Sequence, residues 1–192
     1  EVGLANCEVY GFAIHLAEYW CARHPSTGPH HMFLKLVQKS AEAGHPDAQF
    51  EMYCLAHVWE LFPKNSGDKW LKLAADNDHV EAILHLAAEA PNESQKLLEL
   101  ERATKLGSKE AARELGKNKL KTNLLEALQL LFSAETAGDA ESALVLSGLF
   151  QDGHAGGLVK DDDLAKWYLE RALDKDQGLL TEETKNDARL KL

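Results

Sequence analysis

The chain is poor in cysteine, in cations and in unbroken apolar sequence, and each shortage excludes something. Its three cysteines, Cys7, Cys21 and Cys54, are too few and too irregularly spaced for a disulfide scaffold. On one helix Cys7 and Cys21 would stand about 21 Å apart, beyond disulfide reach. A Cys21–Cys54 bond stays open, and three buried thiols serving as small apolar side chains is the simpler reading. No run approaches the roughly 20 apolar residues that cross a bilayer, so no membrane span is expected. Lys and Arg number 21 against 31 Asp and Glu, a net charge of -10 with no basic stripe. Such a field repels a phosphate backbone and argues against nucleic acid, while it attracts a basic protein or peptide. Catalytic signatures are missing too: no Gly-x-Ser-x-Gly, no local signature around a cysteine, and a GHAGG stretch without the lysine of a phosphate loop. We therefore expect neither an enzyme nor a bound cofactor.

What is present is ordinary in amount and unusual in arrangement. Apolar residues make up 45% and charged residues 27% of 192, enough to bury a core. Period-two alternation is absent, and apolar spacing predicts an all-α protein. Helices are expected near 3–22, 30–43, 46–60, 67–76, 79–89, 93–106, 108–120, 122–137, 139–151, 162–175 and 181–191. HPSTGPHH after Arg23, FPKNSG from Phe62 and QDGHAGG from Gln151 read as loops.

Four segments repeat one another: SAEAGHPDAQFEM from Ser40, AADNDHVEAILHL from Ala74, ATKLGSKEAAREL from Ala103 and AETAGDAESALVL from Ala134, with a weaker fifth at Ala172. They align on Gly44, Asp78, Gly107, Gly138 and Asp176. Four residues before each anchor stands a small residue (Ser40, Ala74, Ala103, Ala134, Ala172), and four after the first four anchors another (Ala48, Ala82, Ala111, Ser142). Eight after comes Met52, Leu86, Leu115 or Leu146. Glycine suits the left-handed position that ends a helix, and Asp tolerates it better than most residues. Each anchor is thus a turn between two helices, which the small residues let approach closely and the large residue packs between.

This pattern resembles the Sel1-like repeat, a relative of the tetratricopeptide repeat. Leu115-Gly116 supplies that family's Leu-Gly pair. WLKLAADND from Trp70 supplies an aromatic followed by Ala74-Ala75. SGLFQDG and GLVKDDDLAKWYLERAL supply Phe150, Gly153, Asp161, Ala165, Trp167-Tyr168 and Ala172. The likeness covers residues 33 to 176. It departs from the pattern at Asp78, at Met52-Tyr53, at Glu99 in an aromatic slot, and in AAEAPNES, where the loop after Leu86 is short. The resemblance implies a right-handed α-solenoid of antiparallel helix pairs that binds a protein or peptide on its concave face, as adaptors of bacterial envelope, signalling or virulence pathways do. An inhibitor or immunity-type partner of a basic toxin is one form of that role. Residues 1–32 would be an N-terminal cap or irregular first repeat, 33–176 the repeats and 177–192 a polar capping helix. The alternative is a piece cut from a longer array. A start at Glu1 is what removal of an upstream leader leaves, so both periplasm and cytoplasm stay open. A monomer or weak oligomer is expected.

Three aspartates, Asp161 to Asp163, read as the acidic start of a helix rather than a cation site, since VKDDDLAKWY lacks the ligand order of a calcium loop. His24, His30 and His31 lie in a Pro/Gly linker without carboxylates at ligand spacing. His15 with Glu18 and His57 with Glu60 place imidazole and carboxylate one turn apart, the basis of an alternative metal-dependent reading. The recurring surface feature lies three residues after each anchor, at Asp47, Glu81, Glu110 and Glu141. Seven after stand Glu51, His85, Glu114 and Val145. These offsets share a helix face, so the candidate partner-binding set is Asp47, Glu51, Glu81, His85, Glu110, Glu114 and Glu141. First-turn acids also complement the helix dipole, which is the blander account of the same pattern.

Overall fold

The computed structural model describes residues 31–58, 66–175 and 180–190. The expected helix 3–22, the anchor Asp176, Cys7, Cys21, His15, Glu18, His24, His30 and Glu60 lie outside them, as does the side chain of His31. Ten α-helices follow one another in the described residues. They are α1 (His31–Glu42), α2 (Pro46–Val58), α3 (Ser66–Asp76), α4 (Val80–Ala88), α5 (Glu93–Lys105), α6 (Lys109–Lys119), α7 (Leu124–Thr136), α8 (Ala140–Asp152), α9 (Asp162–Lys175) and α10 (Glu182–Leu190). Among the described residues the sole β-type pairing is an isolated bridge between His154 and Leu158, and there is no named strand.

All four described anchors have positive φ: Gly44 at 94°, Asp78 at 62°, Gly107 at 92° and Gly138 at 87°. Each makes the same pair of hydrogen bonds. The anchor amide donates to the carbonyl three residues back, and the next amide donates to the carbonyl of the small residue: His45 to Ser40, His79 to Ala74, Ser108 to Ala103 and Asp139 to Ala134, at 3.0 to 3.1 Å. These bonds satisfy carbonyls that a helix end otherwise orphans. The residue after the anchor then starts the next helix. His79 Nδ1 accepts from the Ala82 amide at 3.3 Å, Ser108 Oγ from Ala111 at 3.1 Å, and Asp139 Oδ2 from Ser142 at 2.9 Å. One helix thus stops and its neighbour begins after three residues, which turns the chain back into antiparallel pairing.

The small residues sit where the helices cross. Ser40, Ala74, Ala103 and Ala134 are buried, and so are Ala48, Ala82, Ala111 and Ser142. Met52, Leu115 and Leu146 fill the layers between them, whereas Leu86 stays partly exposed. Gly116 marks a tight crossing: a Cβ there would lie 3.0 Å from Leu131 Cγ and 3.2 Å from the Ala127 carbonyl of α7.

The described chain falls into two compact units, one ending at Asn92 and one spanning Glu93–Leu192. The division lies in AAEAPNES. In the first unit Phe33, Val37 and Ala41 of α1 pack with Ala48, Met52 and Leu55 of α2, and Trp70 of α3 lies against them. Gln49, buried, donates to the Ala41 carbonyl at 3.1 Å and accepts from Asn77 at 2.8 Å, tying α2 to the turns before and beyond it. In the second unit Leu131 of α7, Ala143, Leu146 and Phe150 of α8, and Ala165, Tyr168 and Ala172 of α9 form the core. The Phe150 and Tyr168 rings stack with centroids 5.7 Å apart.

Helix α7 starts later than its expected residue 122. Asn123, at φ -148° and ψ 91°, caps it by accepting from the Glu126 amide at 3.2 Å, which leaves Thr122 in the preceding turn. The aspartate run behaves as expected: Asp161 Oδ1 accepts from the Leu164 amide at 2.9 Å, and Asp162 and Asp163 occupy the first turn of α9. Thr181 Oγ1 caps α10 through the Thr184 amide at 3.1 Å.

Candidate protein-interaction faces

The seven candidate residues divide between the units. Asp47, Glu51, Glu81 and His85 stand on α2 and α4 of the first, and Glu110, Glu114 and Glu141 on α6 and α8 of the second. The two groups differ in what neutralises them.

In the second unit a cation has been built in. The Arg113 guanidinium lies 2.8 Å from Asp139, 3.2 Å from Glu141 and 3.3 Å from Glu114, and Lys117 reaches Glu114 at 3.0 Å. Asp139 is buried and also holds the start of α8, accepting from both the amide and the hydroxyl of Ser142. Burial alone would work against the Arg113 charge. Asp139 and Glu141 outweigh it and raise the guanidinium pKa further. The Glu114 carboxyl is likewise pushed up by burial, but Lys117 and Arg113 prevail and hold it below the usual range. Glu110 accepts from the Ser108 hydroxyl at 3.1 Å. These carboxylates therefore support the fold of their own unit.

The first unit has imidazoles in place of the arginine. Asp47, its side chain 55% exposed, stands 3.4 Å from His79 Nε2 and 3.7 Å from His45 Nδ1; Glu81, 67% exposed, stands 3.5 Å from His79 Nδ1. Among the described residues no Lys or Arg pairs with either carboxylate. The His79 ring stacks on Phe50 at 4.5 Å. His85, exposed, lies 5.7 Å from Phe50 and 5.4 Å edge-on to Tyr53, and His57 lies 4.5 Å from Tyr53. Glu51 is partly buried, and burial pushes its carboxyl up from the ordinary value. Cys54 is a free thiol whose pKa is raised by burial and by Glu51. The face thus combines exposed carboxylates, two largely buried imidazoles beside them, the exposed rings of His57 and His85, and a supporting aromatic layer.

Reading offsets three and seven alone missed Arg113, Phe50, Tyr53 and His79. Arg113 and Phe50 both stand six residues after their anchors, inside the same helix face, so a count at offset six would have found them. His79 is the residue directly after an anchor, where a helix-capping role hid its place between two carboxylates. His57 is present on the face, but its expected partner Glu60 lies outside the described residues. Among those residues no group of three or more His, Cys, Asp or Glu is placed to hold a metal ion, and no helix is long and apolar enough to cross a membrane.

The arrangement of helix pairs is shared with solved structures. A Sel1 repeat protein from Oxalobacter formigenes superposes over 96% of this chain and 87% of its own, with a TM-score of 0.71 at 17% identity. This chain has the Sel1 repeat fold. The protective antigen c5321 of uropathogenic Escherichia coli, which displays the same repeat fold, matches 94% of this chain with a TM-score of 0.68 and 22% identity, and this chain spans 42% of its length. The immunity protein PA5088 from Pseudomonas aeruginosa matches 95% of this chain and 86% of its own, with a TM-score of 0.51 at 18% identity. No family model and no curated protein matches the sequence. At these identities the likeness fixes the all-α architecture of Sel1-type helix pairs, and the chemistry of the faces is this chain's own.

Proposed function

We propose that the protein is a non-catalytic interaction scaffold that binds a basic segment of another protein on the α2–α4 face, through Asp47, Glu51, Glu81 and His85. The observation that carries this reading is the contrast between the units. In the second unit Glu114 and Glu141 are held by Arg113 and Lys117, whereas Asp47 and Glu81 of the first face solvent beside imidazoles, with no Lys or Arg paired to them among the described residues. A net charge of -10 adds long-range attraction for a cationic partner. The Sel1 repeat fold supports a scaffold role, and the likeness to an immunity protein supports a partner that is itself a protein held in check.

The test is to capture and identify a partner, then titrate it against purified variants by calorimetry. Asp47→Lys with Glu81→Lys should weaken binding by about tenfold or more, the scale of losing close charge pairs across an interface. Glu110→Gln should leave affinity within about threefold, as expected of a carboxylate outside the contact. Equal affinity for wild type and the double lysine variant would move the site elsewhere.

A further inference from the structure

Seven residues after its anchor each repeat places a face residue that is polar in three cases, Glu51, His85 and Glu114, and apolar in the fourth, Val145. Leu144 stands directly before it. Two adjacent apolar side chains on the outward side of a helix call for a covering, and the end of the chain's second unit supplies one. Leu180, Thr181 and Thr184, the lead-in and first turn of α10, share a cleft of about 280 Å³ with Leu144 and Val145. A second cleft of about 230 Å³ is lined by Leu144, Gly148 and Leu169 together with Thr184 and Ala188 of α10. A Cβ at Gly148 would meet nothing within 4 Å.

This covering is loosely packed. α10 buries one of its own side chains, Ala188, and its lead-in buries Leu180, whereas α8 buries Leu146 and Phe150 and α9 buries Tyr168 and Leu169 beside their alanines. Leu190, at the end of α10, is 86% exposed. The helix also carries its own supports: the Thr181 cap, the Lys185–Glu182 ion pair at 2.8 Å and the Arg189–Asn186 hydrogen bond at 3.3 Å all lie within residues 181–190. Little apolar burial, with a water-accessible cleft to either side of Thr184, separates the stability of α10 from that of the helices it lies on.

We propose that α10 is a strap that detaches from α8 and α9 as one unit while the rest of the second unit stays folded, switching the Leu144–Val145 strip between covered and open. Opening gives up the burial of Leu180 and Ala188 and leaves the core of Leu131, Leu146, Phe150 and Tyr168 intact, since neither residue belongs to it. Glu141 lines the same cleft as the strip, so the strap controls access to the α8 part of the candidate face in this unit.

The test is native-state amide hydrogen exchange of the full chain, read by mass spectrometry on peptides from α8, α9 and α10 at increasing sub-denaturing urea. α10 should show protection about a hundredfold or more below that of α8, with a weaker dependence on urea, because opening the strap exposes less surface than unfolding the unit. Thr184→Leu extends an apolar side chain toward both clefts, so it should raise the protection of α10 about fivefold or more and leave that of α8 within about twofold. Leu180→Ala should lower the protection of α10 about fivefold or more, again with α8 unchanged. Equal protection and one common urea dependence for α8 and α10 would overturn the strap, because the two would then unfold together. An α10 without measurable protection in both wild type and Thr184→Leu would overturn it as well, since nothing would then cover the strip. So would two variants that leave α10 exchanging as in wild type, because its hold would then lie outside these clefts.

Discussion

Gly107 and Asp78 occupy the same left-handed position in successive turns, one without strain and one with it. A Cβ at Gly107 would meet nothing within 4 Å, so any cost of substituting it is conformational rather than steric. Gly107→Ala should therefore destabilise by about 1 kcal/mol, the usual penalty for a non-glycine residue at positive φ, as measured by denaturant unfolding. Asp78→Gly relieves that penalty but loosens the unfolded chain, so it should be neutral or stabilising by under about 1 kcal/mol. Gly116 is different. Its φ is helical, and alanine there gains helix propensity while pressing on Leu131 and Ala127, so Gly116→Ala should cost about 1–2 kcal/mol net. Glu114 makes a pH-dependent contribution. Its folded pKa lies below the unfolded value, so the stability it confers is present above that unfolded value and is lost as pH falls through the folded one. With its side chain 41% exposed, solvent screening limits the effect to about 0.5 kcal/mol. Thermal unfolding of Glu114→Gln should match wild type near pH 3 and fall slightly below it at pH 7.

Helix ends decide the elements, and they were the most legible part of the sequence. Small residue, left-handed anchor and capping residue recur at fixed offsets because one chemical unit, a pair of turn hydrogen bonds, recurs at all four described anchors. Backbone chemistry of that kind is local and shows in a sequence. The start of α7 was less legible, since Thr122 and Asn123 both cap well and only the extended backbone of Asn123 distinguishes them. Least legible was the compensation of the acids. Asp139 and Arg113 are 26 residues apart in the chain and meet because α6 packs on α7 and α7 on α8 within one unit. Their pairing makes a strong prediction for the element. Asp139→Ala removes the cap of α8 and the shortest ion pair of the Arg113 guanidinium, and should cost about 2–4 kcal/mol, whereas neutralising Glu110, a partly buried acid held only by the Ser108 hydroxyl, should cost under about 1 kcal/mol. Chemical denaturation of the two variants separates these magnitudes.

Across the molecule, the acidic excess is spent in two ways. Part of it is internal, as in Glu135 of α7, which is buried and held at 2.6 Å by Arg171 of α9, itself 4.5 Å over the Trp167 ring. The part on α2 and α4 stays at the surface beside imidazoles and rings, and the functional account rests on it. Net charge raises the expectation of a basic partner without saying which acids are available, because availability depends on which lysines and arginines fold back onto them. The most direct measurement is amide hydrogen exchange of the protein with and without its captured partner. The account predicts protection concentrated at Asp47–His57 and His79–Ala88, and little change along Lys109–Lys119. Protection confined to α6 and α8, with α2 and α4 exchanging as in the free protein, would contradict it.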